Sequence, residues 1–275
     1  ASWSSKVMGP VSLFLLGLLQ GLTEFLPVSS SGHLVLAERL LDLHPSLAVN
    51  IGLHAGSLVA ILHFYRRELA GLLFAIVPGP SRDPGKTRED RELIMHLILA
   101  TLATAPLALW LRAPIEGLFA EPAAGRFLGL TFSLTALLLI LAELHRPRGG
   151  TAPERALTWR GALLIGLVQG VAVFPGVSRS GATIAAALLL GLGAEKSARF
   201  SFLLAVPVIG GAALLELPAL VGGMNVGHLL LGMTAAAVSG LAALVLLVGL
   251  IRRRRFVWFS AYLAPLALAC LIFNP

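Results

Sequence analysis

Cysteine occurs once in the 275 residues, at Cys270. A lone thiol builds neither a disulfide framework nor a cysteine-ligated zinc site, so both scaffold classes are excluded. Charge is scarce as well: Asp, Glu, Lys and Arg make up 13% of the chain, roughly half of what a soluble domain carries. The apolar-polar alternation of outer-membrane strands is missing, so a barrel is not expected. No short apolar segment with a small-residue cleavage site opens the chain as given, and no signal peptide is expected. What abounds is apolar, 57% of all residues. Runs such as "LLLGMTAAAVSGLAALVLLVGLI" at 229–251 are long enough to cross a hydrocarbon core. The fold class expected is an all-α polytopic membrane protein.

A net charge of +7 raises nucleic acid as a partner, but its distribution argues otherwise. "RRRR" at 252–255, Arg66 with Arg67, and the loop "PGPSRDPGKTREDRE" at 78–92 all flank apolar runs. Basic clusters in such places anchor loops on the cytoplasmic face. The expected partner is the phospholipid bilayer, with no nucleic acid.

Apolar runs between breakers predict six full-length spans, at about 46–65, 93–112, 126–144, 198–218, 227–251 and 256–273. Four shorter pieces remain, at 11–26, 33–41, 161–174 and 181–192. They are joined pairwise by "QGLTEFLPVSSSGH" (20–33) and "QGVAVFPGVSRSGAT" (169–183). Short, interrupted apolar segments at matching places in two halves predict two re-entrant helical hairpins at a binding site. A shift of 149 residues aligns Gln20, Gly21, Phe25, Val28, Ser29, Ser31 and Gly32 with identical residues of the second motif, without a gap. The chain is therefore expected to be one integral membrane domain over 1–275, repeat A at about 9–145 and repeat B at about 158–273.

Three full spans separate the two hairpins, and an odd number of crossings turns the second copy over, giving an inverted-topology repeat. With both termini outside, sixteen of the 21 Lys and Arg fall in inside segments; Lys6, Arg39, Arg112, Arg126 and Arg179 are the exceptions. That asymmetry favours this orientation.

Irregular backbone within a bilayer survives only when buried in protein or lining a wet cavity. In each motif a Ser-Gly pair opens a short helix, from Gly32 and from Gly181 onward, where serines serve as N-caps. Two helix N-termini from opposite sides would then aim free N–H groups at a shared region, which makes an anion site. Arg179 at membrane depth needs a partner or a function. It has the fork geometry for phosphate oxygens, and an ion pair with Glu24 that ties the repeats together is the structural alternative. Glu24 follows Gln20 by one helical turn, so the two share a face. They fit a hard divalent cation beside substrate phosphates; equally, Glu24 fits a base, or a residue reaching for headgroups. His33, close after Ser29 and Ser30, points to nucleophile activation or proton donation. His54 and His63 read as packing or pore-facing residues, and Ser57 as lining the same cavity.

Together the motifs resemble the undecaprenyl-pyrophosphate phosphatase family of the bacitracin-resistance type. That family's pattern joins (E/Q)xxxE and PVSSxGH with PGxSRSxxT, and here these read "QGLTE", "PVSSSGH" and "PGVSRSGAT". The likeness extends through "HAGSLVAILHFYRREL" and "SFLLAVPVIGGAALLEL", nearly the whole chain. It implies hydrolysis of a C55 polyprenyl diphosphate to the monophosphate, recycling the lipid carrier of cell-wall synthesis in the bacterial inner membrane, with the site toward the periplasm. It also implies catalytic roles for Glu24, Ser30 as nucleophile, His33 and Arg179, and diphosphate binding by Ser178, Arg179, Ser180 and Thr183. Ser29 and Ser31 join them as substrate-binding candidates, and Mg²⁺ or Ca²⁺, on Glu24 and Gln20, is the implied cofactor. Two departures stand out. Gln20 replaces the Glu of many members, weakening a two-carboxylate metal site, and "AYLAPL" stands where many carry Tyr-Arg. Homodimerisation is left open by the sequence.

Two other families share parts of this pattern. A polyprenyl-phosphate flippase or anion transporter shares the inverted-repeat architecture, but has no need of Ser, His and Glu beside the phosphate. The vanadium-haloperoxidase-like lipid phosphatases share "SGH" at 31–33, yet their accompanying Lys/Arg and Arg/His segments are missing here.

Overall fold

Six of the polar breaks among the described residues carry a side-chain cap that starts the next helix. The computed structural model describes residues 9–76, 83–146, 154–215, 225–253 and 255–275. Its elements are α1 (Pro10–Phe25), α2 (Ser30–Leu40), α3 (Leu47–Phe64), α4 (Arg66–Ile76), α5 (Pro84–Ala120), α6 (Ala124–His145), α7 (Trp159–Val171), α8 (Arg179–Leu189), α9 (Ala194–Leu215), α10 (Val226–Arg252) and α11 (Val257–Phe273). No strand occurs among the described residues. Ser46, Asp83, Thr158 and Asn225 precede α3, α5, α7 and α10, and each side chain accepts from first-turn amides. Those are the donors that a helix leaves open.

Four expectations need correction. The loop expected at 78–92 is helical from Pro84 onward. Asp83 accepts from the amides of Gly85 and Lys86, and Lys86–Asp90 and Arg88–Glu92 pairs support the new turns. Residues 77–82 of that loop lie outside the described residues. The span expected at 93–112 is thus the middle of a 37-residue helix containing Pro106 and Pro114, about 55 Å of rise if unbroken. A further helix, α4, follows Arg66, where only an anchoring charge cluster was expected. The two short helices expected to open at Gly32 and Gly181 open instead at Ser30 and Arg179, two residues earlier, because a serine cap bonds the amide three residues on.

Among the described residues five helices (α3, α5, α6, α9 and α10) are long and apolar enough to cross a membrane. α11, expected as a sixth, has 17 residues, at the lower end of the spanning range. α1 and α7 are shorter still. Large apolar side chains such as Leu102, Trp110, Val238 and Leu268 are exposed around the body, a surface suited to lipid. The protein is a multi-pass membrane protein.

The most extensive helix contacts are α1 along α10, α6 along α11, α3 along α10 and α5 along α7. Small residues let these backbones close up, as is usual between helices in lipid. A Cβ on Gly17 would run into the Gly232 carbonyl of α10, and one on Gly166 into the Ala100 carbonyl of α5. Phe25, Phe132, Phe202 and Phe256 fill the centre, fully buried, with Phe25 and Phe202 edge to face at 5.9 Å.

Helix ends gather in two sets. At one end Arg39 donates to the carbonyls of Phe119 and Pro275, and Asn274 to that of Pro122, joining the last turns of α2, α5 and α11. At the other, Arg199 pairs with Glu68 and Arg252 with Glu195, while Arg146 donates to the Ile251 carbonyl. The second set is the arginine-rich one.

Gly17→Val is expected to destabilise the detergent-solubilised protein by about 1–3 kcal/mol, the usual cost of overpacking. Gly249→Ala, where an added Cβ meets nothing within 4 Å, is the control and keeps its melting temperature. Equal melting temperatures for the two variants would remove close backbone approach as the reason for Gly17.

Candidate active site

Two broken helices build the site. α1 stops at Phe25, the chain turns through Pro27, and α2 restarts at Ser30; α7, Pro175 and α8 repeat the course. At the first break Ser29 has φ of 71°, a left-handed conformation that costs a non-glycine residue energy. Bonds on every side hold it there. Its Oγ accepts from the amides of Gly32 (3.3 Å) and Gly176 (3.1 Å), the latter in the second break. At that second break the Ser178 Oγ accepts from the Gly181 amide at 3.0 Å. Gly176 sits at φ of 91°, and α6 fixes the turn: Thr131 donates to the Pro175 carbonyl and Thr135 to that of Gly176. Ser180 donates back to the Leu26 carbonyl at 3.3 Å. The two breaks are thus stitched together across about 150 residues of sequence.

Between them lies a cavity of about 300 Å³. Glu24, Ser29, Ser30 and Ser31 line it from the first hairpin, and Val173, Ser178 and Arg179 from the second; Asn50 and His54 of α3 and Val208, Ile209, Ala212 and Ala213 of α9 complete the wall. Glu24 is its hub. Ser30 Oγ donates to Glu24 Oε2 at 2.5 Å, and Gln20 Nε2 donates to the same oxygen at 2.9 Å. Arg179 Nη2 pairs with Oε1. The two side chains are 6% and 14% exposed, so neither charge survives there without the other. Arg179 Nη1 has no partner. A buried guanidinium nitrogen without a partner, beside the first turns of α2 and α8, leaves a donor that the oxygens of an anion would satisfy.

The remaining candidates lie further out. His33 does not line the cavity. Its Nδ1 lies 2.7 Å from the Ser29 carbonyl and its Nε2 2.7 Å from the Tyr262 hydroxyl. A carbonyl only accepts, so Nδ1 carries the proton and Tyr262 donates to Nε2. The ring stacks on Tyr262 at 5.8 Å and meets Phe132 edge-on. Thr183 bonds the Arg179 carbonyl and Ser201, and Ser180 bonds Ser178 and Leu26; both brace the turn behind the cavity. Ser57, read as a lining residue, is fully buried and donates to the Leu53 carbonyl. His54 and Asn50 carry more of the wall than the sequence reading gave them. Their signal was two polar residues one turn apart inside an apolar span, where ionisable side chains mark function.

A cation on Glu24 and Gln20 would displace the donors that now engage both Glu24 oxygens. Gln20 turns its amide hydrogens to the carboxylate and leaves its Oε1 buried without a partner, as is Asn50 Oδ1. Among the described residues no group of three or more His, Cys, Asp and Glu is placed to hold an ion.

Comparison with known proteins matches residues 13–269 to the family described as Bacitracin resistance protein BacA. An undecaprenyl-diphosphatase of Geobacter sulfurreducens is 40% identical over 265 residues, covering 94% of this chain and 96% of its own. One from Carboxydothermus hydrogenoformans is 37% identical over 272 residues, 96% and 97% of the two chains. One from Korarchaeum cryptofilum is 38% identical over 266 residues, 94% and 96%.

Inorganic phosphate is expected to raise the melting temperature of the solubilised protein, by about 2.7 kcal/mol of stabilisation at a hundredfold excess over Kd. Arg179→Gln abolishes that rise. A full shift in the variant would take the guanidinium out of the anion site.

Proposed function

The chain belongs to the BacA bacitracin-resistance family, and we propose that it is a membrane hydrolase that cleaves undecaprenyl diphosphate to undecaprenyl phosphate and orthophosphate, recycling the carrier lipid of cell-wall synthesis. One observation carries the reading: a serine hydroxyl 2.5 Å from a carboxylate that is itself held by an arginine with an open edge.

Ser30 attacks the terminal phosphorus in line with the bridging oxygen. Its Oγ forms the new P–O bond, its proton passes to Glu24, and the bridging P–O bond breaks with its electron pair on the lipid monophosphate. A carboxylate paired with arginine is a weak base. The incoming diphosphate offers Arg179 a better-matched set of oxygens, which frees Glu24 at the moment its basicity is needed. Arg179 Nη1 and the first amides of α2 and α8 then hold the charge spread over the phosphoryl oxygens. Ser29, Ser31 and Ser178 line the place where those oxygens sit. His33, Ser180 and Thr183 act behind them by fixing the breaks. Water then attacks the phosphoserine, and Ser30 is restored. A divalent cation that helps turnover would arrive as the counter-ion of the diphosphate. The aliphatic wall of Ile51, Val208, Ile209, Ala212 and Ala213 suits the first isoprene units.

The topology belongs to the same proposal: six crossings, two re-entrant hairpins and an inverted repeat. Reciprocal packing supports it, since the first helix of each half docks on a late helix of the other, α1 on α10 and α7 on α5. Asn50 near the start of α3 and Ala213 near the end of α9 both line the cavity. It therefore opens toward the end of the body away from the arginine-rich set, which is the periplasmic side under the positive-inside rule.

Glu24→Gln and Ser30→Ala are each expected to lower orthophosphate release from C55 diphosphate by about 10²–10⁴, the range for losing a base or its nucleophile. The assay runs in detergent without sealed vesicles, where a pure transporter releases nothing. An acid quench of the wild type traps phosphoserine at Ser30. Full activity in Ser30→Ala would return the attack to water.

A further inference from the structure

Ser30 serves the reaction only where its Oγ reaches Glu24, and its place follows from the residue before it. Ser29 stands at φ of 71° and ψ of 99°, a conformation that a residue with a Cβ keeps only under constraint. The amides of Gly32 and Gly176 pin its side chain. Its carbonyl must hold the peptide plane that leads into Ser30. That oxygen accepts twice from one residue, from the His33 amide at 3.2 Å and from His33 Nδ1 at 2.7 Å. The ring bond is the shorter. It requires the proton on Nδ1, since a bare nitrogen at that distance sets a lone pair against the carbonyl.

The geometry points to Tyr262 as a positioning residue for the reaction: its hydroxyl fixes the His33 ring, and the ring's Nδ1–H fixes the Ser29–Ser30 peptide that aims Ser30 at Glu24. Tyr262 Oη lies 2.7 Å from His33 Nε2. The two rings are nearly parallel, 13° apart with centroids at 5.8 Å, and Phe132 meets the imidazole edge-on at 5.4 Å. A hydroxyl donated to Nε2 draws density from the ring and makes Nδ1–H the stronger donor, so the two bonds support each other. Without that hydroxyl Nε2 is an unpaired acceptor among aromatic rings, and the ring gains by turning away from Ser29. Phenylalanine at this position would keep the stacking and remove only the hydrogen bond.

Tyr262 can carry this task because α11 is itself fixed. Ser260, two residues earlier, donates to the Ala136 carbonyl of α6 at 3.0 Å. The same α6 supplies Phe132 to His33, and Thr131 and Thr135 to the second break. Both breaks are therefore set against one frame, the second directly and the first through Tyr262. Neither Tyr262 nor His33 lines the cavity, whereas Arg179 and the first amides of α8, which hold the anion, belong to the other hairpin. Loss of the hydroxyl thus falls on the attack by Ser30 rather than on binding. The role rests on the Ser30–Glu24 reading above. The alternative is an aromatic side chain that merely meets lipid, since Tyr262 is half-exposed on α11; phenylalanine would serve that purpose equally well.

The test compares wild type, Tyr262→Phe, His33→Asn and the double variant, each as the full chain in detergent. Two quantities are read: steady-state hydrolysis of C55 diphosphate, and the ring N–H resonances of protein labelled with nitrogen-15 in histidine. The His33 Nδ1–H signal is the one that His33→Asn removes. In Tyr262→Phe that signal is expected to move upfield and exchange faster with water. Its kcat falls about tenfold while KM stays within about twofold, the pattern of a displaced attacking group. Because Tyr262 acts through His33, the hydroxyl contributes nothing once the imidazole is gone, and the double variant matches His33→Asn. Wild-type kcat in Tyr262→Phe, or the same loss with and without His33, overturns the proposal. Full phosphate release by Ser30→Ala sinks the nucleophile and the use made of Tyr262 together, whereas a full-rate Tyr262→Phe leaves the nucleophile standing.

Discussion

A carboxylate and a guanidinium, carried by two hairpins 155 residues apart in sequence, hold each other in the middle of an apolar body. Either charge alone at that depth would cost several kcal/mol, so neither hairpin can take this place without the other. The broken helices follow from the same requirement. A continuous helix would carry Glu24 past the centre with its backbone satisfied and no open amides. A break at Pro27, capped by Ser29, instead brings α2 back with its first turn facing Arg179. Ser29 accepts a left-handed backbone because it caps its own helix and receives the Gly176 amide from the other hairpin. Strain at one residue is thereby exchanged for a fixed distance between two helix ends.

Much of this was legible in the chain itself. The gapless likeness of residues 20–32 and 169–181, the shortness of the apolar pieces around them, and serines three residues ahead of glycines each had a local physical meaning. So did the choice open to Arg179, phosphate or Glu24. The structure gives it Glu24 through Nη2 and leaves Nη1 without a partner. Rotation about a helix axis was not legible. Ser30 and His33 are three residues apart and share a face by spacing, yet Ser30 turns to Glu24 while His33 turns to Tyr262, 229 residues away. His54 had Asn50 one turn away but no acidic neighbour in sequence, since the carboxylate it meets, Glu24, belongs to another helix. The start of α5 was hidden for another reason: a run of charges reads as loop until its i,i+4 pairing and its Asp83 cap are recognised.

The two breaks share their capping serines but not their backbone, Ser29 at φ of 71° matching Ser178 at −73°, and they divide their chemistry. The same 149-residue shift that matches the capping serines sets Arg179 at the place of Ser30 and Val173 at the place of Glu24. All four residues line the cavity, so corresponding positions face one another across it. Two identical halves would bring two carboxylates and two hydroxyls together with no cation between them, an arrangement in which one carboxylate must be protonated. Substituting one half to valine and arginine removes that conflict. A single negative charge remains, its counter-charge sits opposite, and one hydroxyl bonds the one carboxylate.

That division also explains why the cavity is mostly aliphatic around a charged floor. A lipid diphosphate carries its charge at one end and hydrocarbon beyond it. On the α9 side Val208, Ile209, Ala212 and Ala213 exclude water from around the ion pair, which strengthens every electrostatic contact on that floor.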